Sequence, residues 1–196
     1  CGFGTAYEGL LRAEVSGLDR LLVTGLGPVG LATAMLGRAM GATTVIGSDP
    51  SAERVRLAEE LGLVDVGVSD PGHLAAAVDE ATDGQGCEVA VDCSGNAAAR
   101  ESALRHTRTW GRCVYVGEGG SVSFDVSNLL IHKQIRLHGS WVTSVLHMEE
   151  LLERLVRWEL HPEVVVTHRF PLDQAAEAYR VAAAGEAGKV CLVWED

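Results

Sequence analysis

Residues 20–41, RLLVTGLGPVGLATAMLGRAMG, pass from an apolar, β-branched run through a glycine-rich corner into a helical pattern. A strand that hands over to a helix across so short a corner constrains the fold strongly. The helix must pack back on the strand, and the next strand must lie parallel to the first. The same alternation recurs along the chain. Further strands are read at TTVIGSD (43–49), VDVGVS (64–69), CEVAVDCSG (87–95), GRCVYVG (111–117) and QIRLHGSW (134–141). Helices are read at 28–41, 51–62, 72–84 and 96–108, with Pro28 in a first turn, Ser51 as a cap and Gly62 as a stop. Strands one, four and five are nearly continuous apolar runs, as expected where helices cover both faces of a sheet. Six strands in two halves predict an α/β fold with a doubly wound parallel six-stranded sheet in the order 3-2-1-4-5-6.

From about residue 143 the rhythm changes. SVLHMEELLERLVRWEL reads as one amphipathic helix, PEVVVTHRFPL as extended, DQAAEAYRVAAAG as helical and GKVCLVW as a closing strand. The predicted division is therefore a nucleotide-binding domain with a leading helix over 1–142 and a C-terminal tail from a second domain over 143–196.

The glycines Gly25, Gly27 and Gly30 follow a strand and open a helix, the context that a dinucleotide fingerprint demands. Gly25 allows the tight turn, Gly27 lets backbone approach a pyrophosphate, and Gly30 lets helix and strand pack closely. Pro28 and Val29 start the helix whose free N–H groups face the phosphates. Asp49 ends the second strand, 19 residues beyond Gly30, where a carboxylate accepts from the adenosine ribose hydroxyls and repels a 2′-phosphate. The reading is NAD rather than NADP. Alone, Asp49 before Pro50 could as well terminate a strand. Arg54 could lie over the ribose or be a solvated helix residue. An S-adenosylmethionine-dependent methyltransferase is the rival enzyme class, but Pro-Val-Gly at 28–30 suits the dinucleotide turn.

The chain carries 16 Lys+Arg against 27 Asp+Glu, a net charge of −11. That sign repels phosphate backbones and anionic lipid, which argues against nucleic-acid and membrane partners. No long apolar run reads as a membrane span, and no signal peptide is visible. The five cysteines, at 1, 87, 93, 113 and 191, have no CxxC spacing, so a disulfide framework and a self-contained zinc site are both poorly supported. Cysteine usage fits a reducing cytoplasm. None of the seven histidines has metal spacing, and no catalytic histidine is assigned.

With the glycine corner, Asp49 and the opening CGFGTAYEGL in view, the chain resembles the zinc-containing medium-chain alcohol dehydrogenases. The likeness runs over essentially the whole chain, through GLGPVG, DCSG, GRCVYVG, LHGSW and FPLDQAAEAYRVAAAGEAGKVCLV. It implies a cofactor domain plus the returning piece of a catalytic domain whose N-terminal part, with the other two zinc ligands, lies outside this chain. It implies Cys1 as a catalytic zinc ligand, a thiolate being a good donor for zinc, and Thr5 beside the nicotinamide ring. It further implies Ser94 and Gly95 near the ribose, and Val116 and Gly117 near the nicotinamide ribose and carboxamide. Ser140, Trp141 and Val142 would follow the carboxamide edge. The activity implied is zinc-assisted hydride transfer between an alcohol or carbonyl substrate and NAD. A polyol, threonine or amino-cyclitol dehydrogenase of the same superfamily is the alternative, and a catalytically silent nucleotide-binding module is a third. The sixth strand, at the sheet edge and free of proline, is the expected seam of a homodimer, with a tetramer also open.

Overall fold

The computed structural model of the chain describes residues 2–185 and 187–194. The elements run α1 (Gly2–Arg12), β1 (Arg20–Thr24), α2 (Pro28–Ala39), β2 (Thr44–Ser48), α3 (Ala52–Glu60), β3 (Val66–Val68), α4 (Leu74–Thr82), β4 (Cys87–Asp92), α5 (Ala97–His106), β5 (Thr107–Tyr115) and β6 (Arg136–Gly139). The tail adds α6 (Val145–Arg157), β7 (Val166–Pro171), α7 (Ala175–Ala184) and β8 (Lys189–Val193). The main sheet has the order β3-β2-β1-β4-β5-β6, and every neighbouring pair in it is parallel. The predicted fold class and strand order are thus the observed ones.

Two cores follow from the two-residue period of the strands. Leu21 and Val23 of β1, with Val45, Val89, Val91 and Val114, point to one face and meet α1, α2, α3 and Leu151 of α6. Leu22, Ile46, Ala90 and Cys113 point to the other and meet α4 and α5. All six residues of β4 are buried, as its position inside the sheet requires. Two of the helices between them, α3 and α5, begin on side-chain caps. Ser51 Oγ accepts from Arg54 N at 3.4 Å, and Asn96 Oδ1 accepts from Ala98 N at 2.9 Å.

Several boundaries differ from the sequence reading. β5 starts at Thr107, four residues early, and reaches Arg112 through Trp110, which adopts φ +60°. Its register with β4 shifts between Cys87 and Val89. A bulge of this kind hides a strand from a period-of-two reading. β6 is confined to Arg136–Gly139, leaving Ser140 and Trp141 in the segment beyond it. The helical stretch read at 72–84 opens with a 3-10 turn at Pro71–His73, where Asp70 Oδ1 accepts from Gly72 N at 2.9 Å. Residues 118–133, given no element from sequence, contain a wide helical turn at Ser127–Ile131.

The tail forms its own two-stranded sheet, β7 parallel to β8, with α7 between them in the chain. Its helix α6 packs on α1. Tyr7 Oη donates to Glu150 Oε2 at 3.3 Å, and His147 Nδ1 lies 2.5 Å from Glu8 Oε2. Leu36 of α2 is fully enclosed in the core on this side. Replacing it with alanine should cost about 2–5 kcal/mol, read as a lower urea midpoint with an unchanged slope.

Candidate functional site

The glycine corner is built from backbone in contact with backbone. Gly25 has φ +89°, a conformation that side-chain-bearing residues rarely adopt. A Cβ on Gly30 would overlap the carbonyl oxygen of Gly25, so α2 can sit this close to β1 only without one. Gly27 is the N-cap of α2 and supplies no side-chain cap, which leaves the first-turn N–H groups of the helix open. An anion held there would meet both those donors and the positive end of the helix dipole.

Beside this corner lies a cleft of about 470 Å³ at the carboxyl ends of β1, β2 and β4. Gly25, Gly27, Asp49, Arg54 and Ser94 line it together. Asp49 is 4% exposed; its Oδ2 accepts from Leu26 N at 2.8 Å and its Oδ1 from Ser51 N at 2.9 Å. The carboxylate therefore fixes the corner from across the cleft. It keeps further lone pairs for a ligand hydroxyl. Arg54 approaches it with Nη1 at 3.4 Å and lies over Gly27, so it is a cleft residue rather than a solvated one.

The second wall comes from the segment after β4 and from α5, with the end of β5 packed behind it. Asp92, wholly buried, accepts from Thr24 Oγ1 at 3.0 Å, Ser94 Oγ at 2.6 Å and Gly95 N at 3.0 Å. Its own carbonyl accepts from Val116 N and Gly117 N, both at 2.9 Å. A Cβ on Gly117 would overlap Gly95 N, so the two loops pack as bare backbone. Gly95, Val116 and Gly117 do not line the cleft; they pack behind Ser94, which does. Sequence reasoning missed Asp92, although it ends an apolar strand just as Asp49 does, which was the available signal. It also missed Pro71 and Leu74, which close the far side of the cleft.

Ser140, Trp141, Val142 and Thr5 are not among the residues that line this cleft. Ser140 is 8% exposed and its buried Oγ has no hydrogen-bond partner among the described residues, whereas Trp141 is 68% exposed. Val142 adopts φ +46°. The start of α1 adjoins this segment, since a Cβ on Gly4 would lie 2.6 Å from both Thr143 Cγ2 and Met148 Cε. Thr5 is half-buried on that helix. Cys1, expected as a zinc ligand, lies outside the described residues. Among the described residues no three His, Cys, Asp or Glu side chains form a group able to hold a metal ion. No helix among them is long and apolar enough to cross a membrane.

The sequence pattern described as zinc-binding dehydrogenase matches residues 28–157, two-thirds of the chain. The chain belongs to the zinc-binding dehydrogenase family. It is 50% identical to the uncharacterized zinc-type alcohol dehydrogenase-like protein YphC of Escherichia coli, over all of this chain and 56% of that protein. It is 33% identical to mouse sorbitol dehydrogenase over 92% of this chain and 51% of that protein. Among solved structures, alcohol dehydrogenase TADH from a Thermus species superposes with a TM-score of 0.85 at 28% identity, covering 98% of this chain and 56% of that one. The chain thus spans about half the length of the relatives it matches. The glycine corner and Asp49, two of the features that carry the resemblance, stand together in the cleft of this zinc-binding dehydrogenase chain.

The described thiols of the sheet are inert. Burial pushes Cys87 and Cys113 up to about 12, and Cys93, with its Sγ 3.3 Å from Thr33 Oγ1, up to about 12 as well. Unfolded thiols ionise near pH 8.5. The stability these groups contribute is therefore complete below about pH 8.5 and is lost as the pH rises towards about 12. Iodoacetamide at pH 8 should leave Cys87 and Cys113 unlabelled in the folded protein and label both in denaturant, as peptide mass analysis would read directly.

Proposed function

We propose that this chain is the NAD-binding part of an oxidoreductase that moves hydride between an alcohol or carbonyl substrate and NAD. The observation that carries the reading is the bare corner at Gly25 and Gly30, which a single Cβ would fill, facing the Asp49 carboxylate across one cleft. The first-turn N–H groups of α2 hold the pyrophosphate. Asp49 accepts from the adenosine ribose, with Arg54 alongside. Ser94 and Gly95 lie at the second ribose, and Val116 and Gly117 at the nicotinamide end. The unpaired Ser140 Oγ supports a ligand contact for Ser140 to Val142, and Thr5 stands beside the ring. When bound, NAD supplies the hydride acceptor. The chain's own part is to orient the two halves of the cofactor and to exclude water between the β4 and β5 loops.

The family's zinc finds no ligand group among the described residues. Cys1 is the residue proposed as its donor, the other donors coming from outside residues 1–196. We assign residues 143–196 to a second domain and the protein to the cytoplasm. The substrate class is an alcohol, a polyol or a hydroxy amino acid. The second possibility draws on mouse sorbitol dehydrogenase, and the third on L-threonine 3-dehydrogenase of Pyrococcus abyssi, 32% identical over 95% of this chain.

Fluorescence titration tests the cofactor. NADH should bind more tightly than NADPH, and Asp49→Ala should reduce that preference, because the repulsion of a 2′-phosphate and the ribose hydrogen bonds disappear together. Tighter NADPH binding by the unmutated chain would refute the choice of NAD. A homodimer seamed by β6, the last strand of the sheet, is proposed alongside. Light scattering at micromolar concentration should give twice the 20.8 kDa of one chain, and proline at Ile135 or Leu137 should return the monomer with folding intact.

A further inference from the structure

Arg100 lies in the first turns of α5, and none of the roles above uses it. The residue is 9% exposed. A charge so placed is costly unless it is paired and hydrogen-bonded. Its Nη2 donates to Gly117 O at 2.6 Å and its Nη1 to Gly120 O at 3.3 Å. Its Nε lies 3.5 Å from Asp92 Oδ2. The guanidinium rests over the Tyr115 ring at 5.7 Å, and Tyr115 Oη donates to the Arg100 carbonyl at 3.0 Å. One side chain thus ties α5 to the end of β4, to β5 and to the loop after it.

An apolar side chain could fill this position without the desolvation cost. What it could not do is set the direction of two carbonyls in Gly117-Glu118-Gly119-Gly120. Gly119 and Gly120 both have positive φ, and a glycine-rich loop has little side-chain packing of its own to hold it. Gly117 stands directly against Gly95, so any slack in the loop is passed to the cleft wall.

We propose that Arg100 is a positioning residue for the nicotinamide half of the bound cofactor. It holds the 117–120 loop in the one conformation against which that half lies, while the adenosine half depends on Gly27, Asp49 and α2. The proposal rests on the dinucleotide reading above and goes beyond it by assigning the two halves of the ligand to separate supports.

Calorimetric titration of the full chain with NADH and with AMP, which carries only the adenosine half, tests it. Arg100→Met should raise the dissociation constant for NADH about tenfold while leaving that for AMP within about twofold. Arg100→Lys, which keeps the charge beside Asp92 and can still donate to Gly117 O, should recover part of the loss. Equal weakening of both ligands, or an NADH affinity unchanged in Arg100→Met, would overturn the role. Should Arg100→Met fail to fold by thermal melt, Arg100→Lys carries the test, and the NADH-to-AMP ratio must shift in the same direction. Failure of both variants to fold would make Arg100 a residue of stability alone and overturn the proposal. An unmutated chain that binds no NADH overturns the dinucleotide reading itself, an outcome distinct from binding whose ratio the variants leave unchanged.

Discussion

The contact between Gly30 and the carbonyl of Gly25 is the constraint on which the rest of the molecule depends. It sets how close α2 comes to β1, and β1 lies between β2 and β4 in the sheet. A helix displaced by one methyl group would lift its N-terminus from the cleft and open the core that Leu31, Leu36, Leu21 and Val23 fill. Packing and ligand access thus share one steric condition. The same device recurs where Gly95 meets Gly117, behind Ser94 on the opposite side of the cleft.

Two buried carboxylates turn these bare loops into a fixed shape. Asp92 ends β4 and Asp49 directly follows β2, and each accepts backbone N–H groups of the loops around it. Such charge-assisted bonds are stronger than neutral ones and hold the loops before any ligand arrives. Arg100 beside Asp92 and Arg54 beside Asp49 supply the countercharges. The cleft is consequently shaped by ion pairs that lie behind its lining as well as within it.

The sheet was legible because its information is local: strand runs, caps and glycines repeat at short range, as in Ser51 before α3 and Gly62 after it. The order of the strands followed from chain connectivity and handedness. Gly25, Gly27, Asp49 and Arg54 were legible for the same reason, since a fixed spacing brings them to one crevice. Asp92 and Arg100 were not singled out, because their meaning lies in contacts between separate loops. The early start of β5 escaped as well, since the bulge through Trp110 breaks the alternation on which strand reading depends.

The pairing of α1 with α6 has a consequence for how the chain is made. Tyr7 and Glu150 are 143 residues apart, yet their side chains close one interface, with Leu151 in the core beneath. During synthesis, α1 leaves the ribosome long before the helix that covers it. α2 can cover part of its apolar face early, but the side that meets α6 must wait while six strands assemble. Contacts of such sequence separation slow folding, because the loop entropy is lost before the contact forms. Within this chain the order of synthesis and the order of completion therefore run opposite ways, since a helix made before the sheet is closed over only by one made after it.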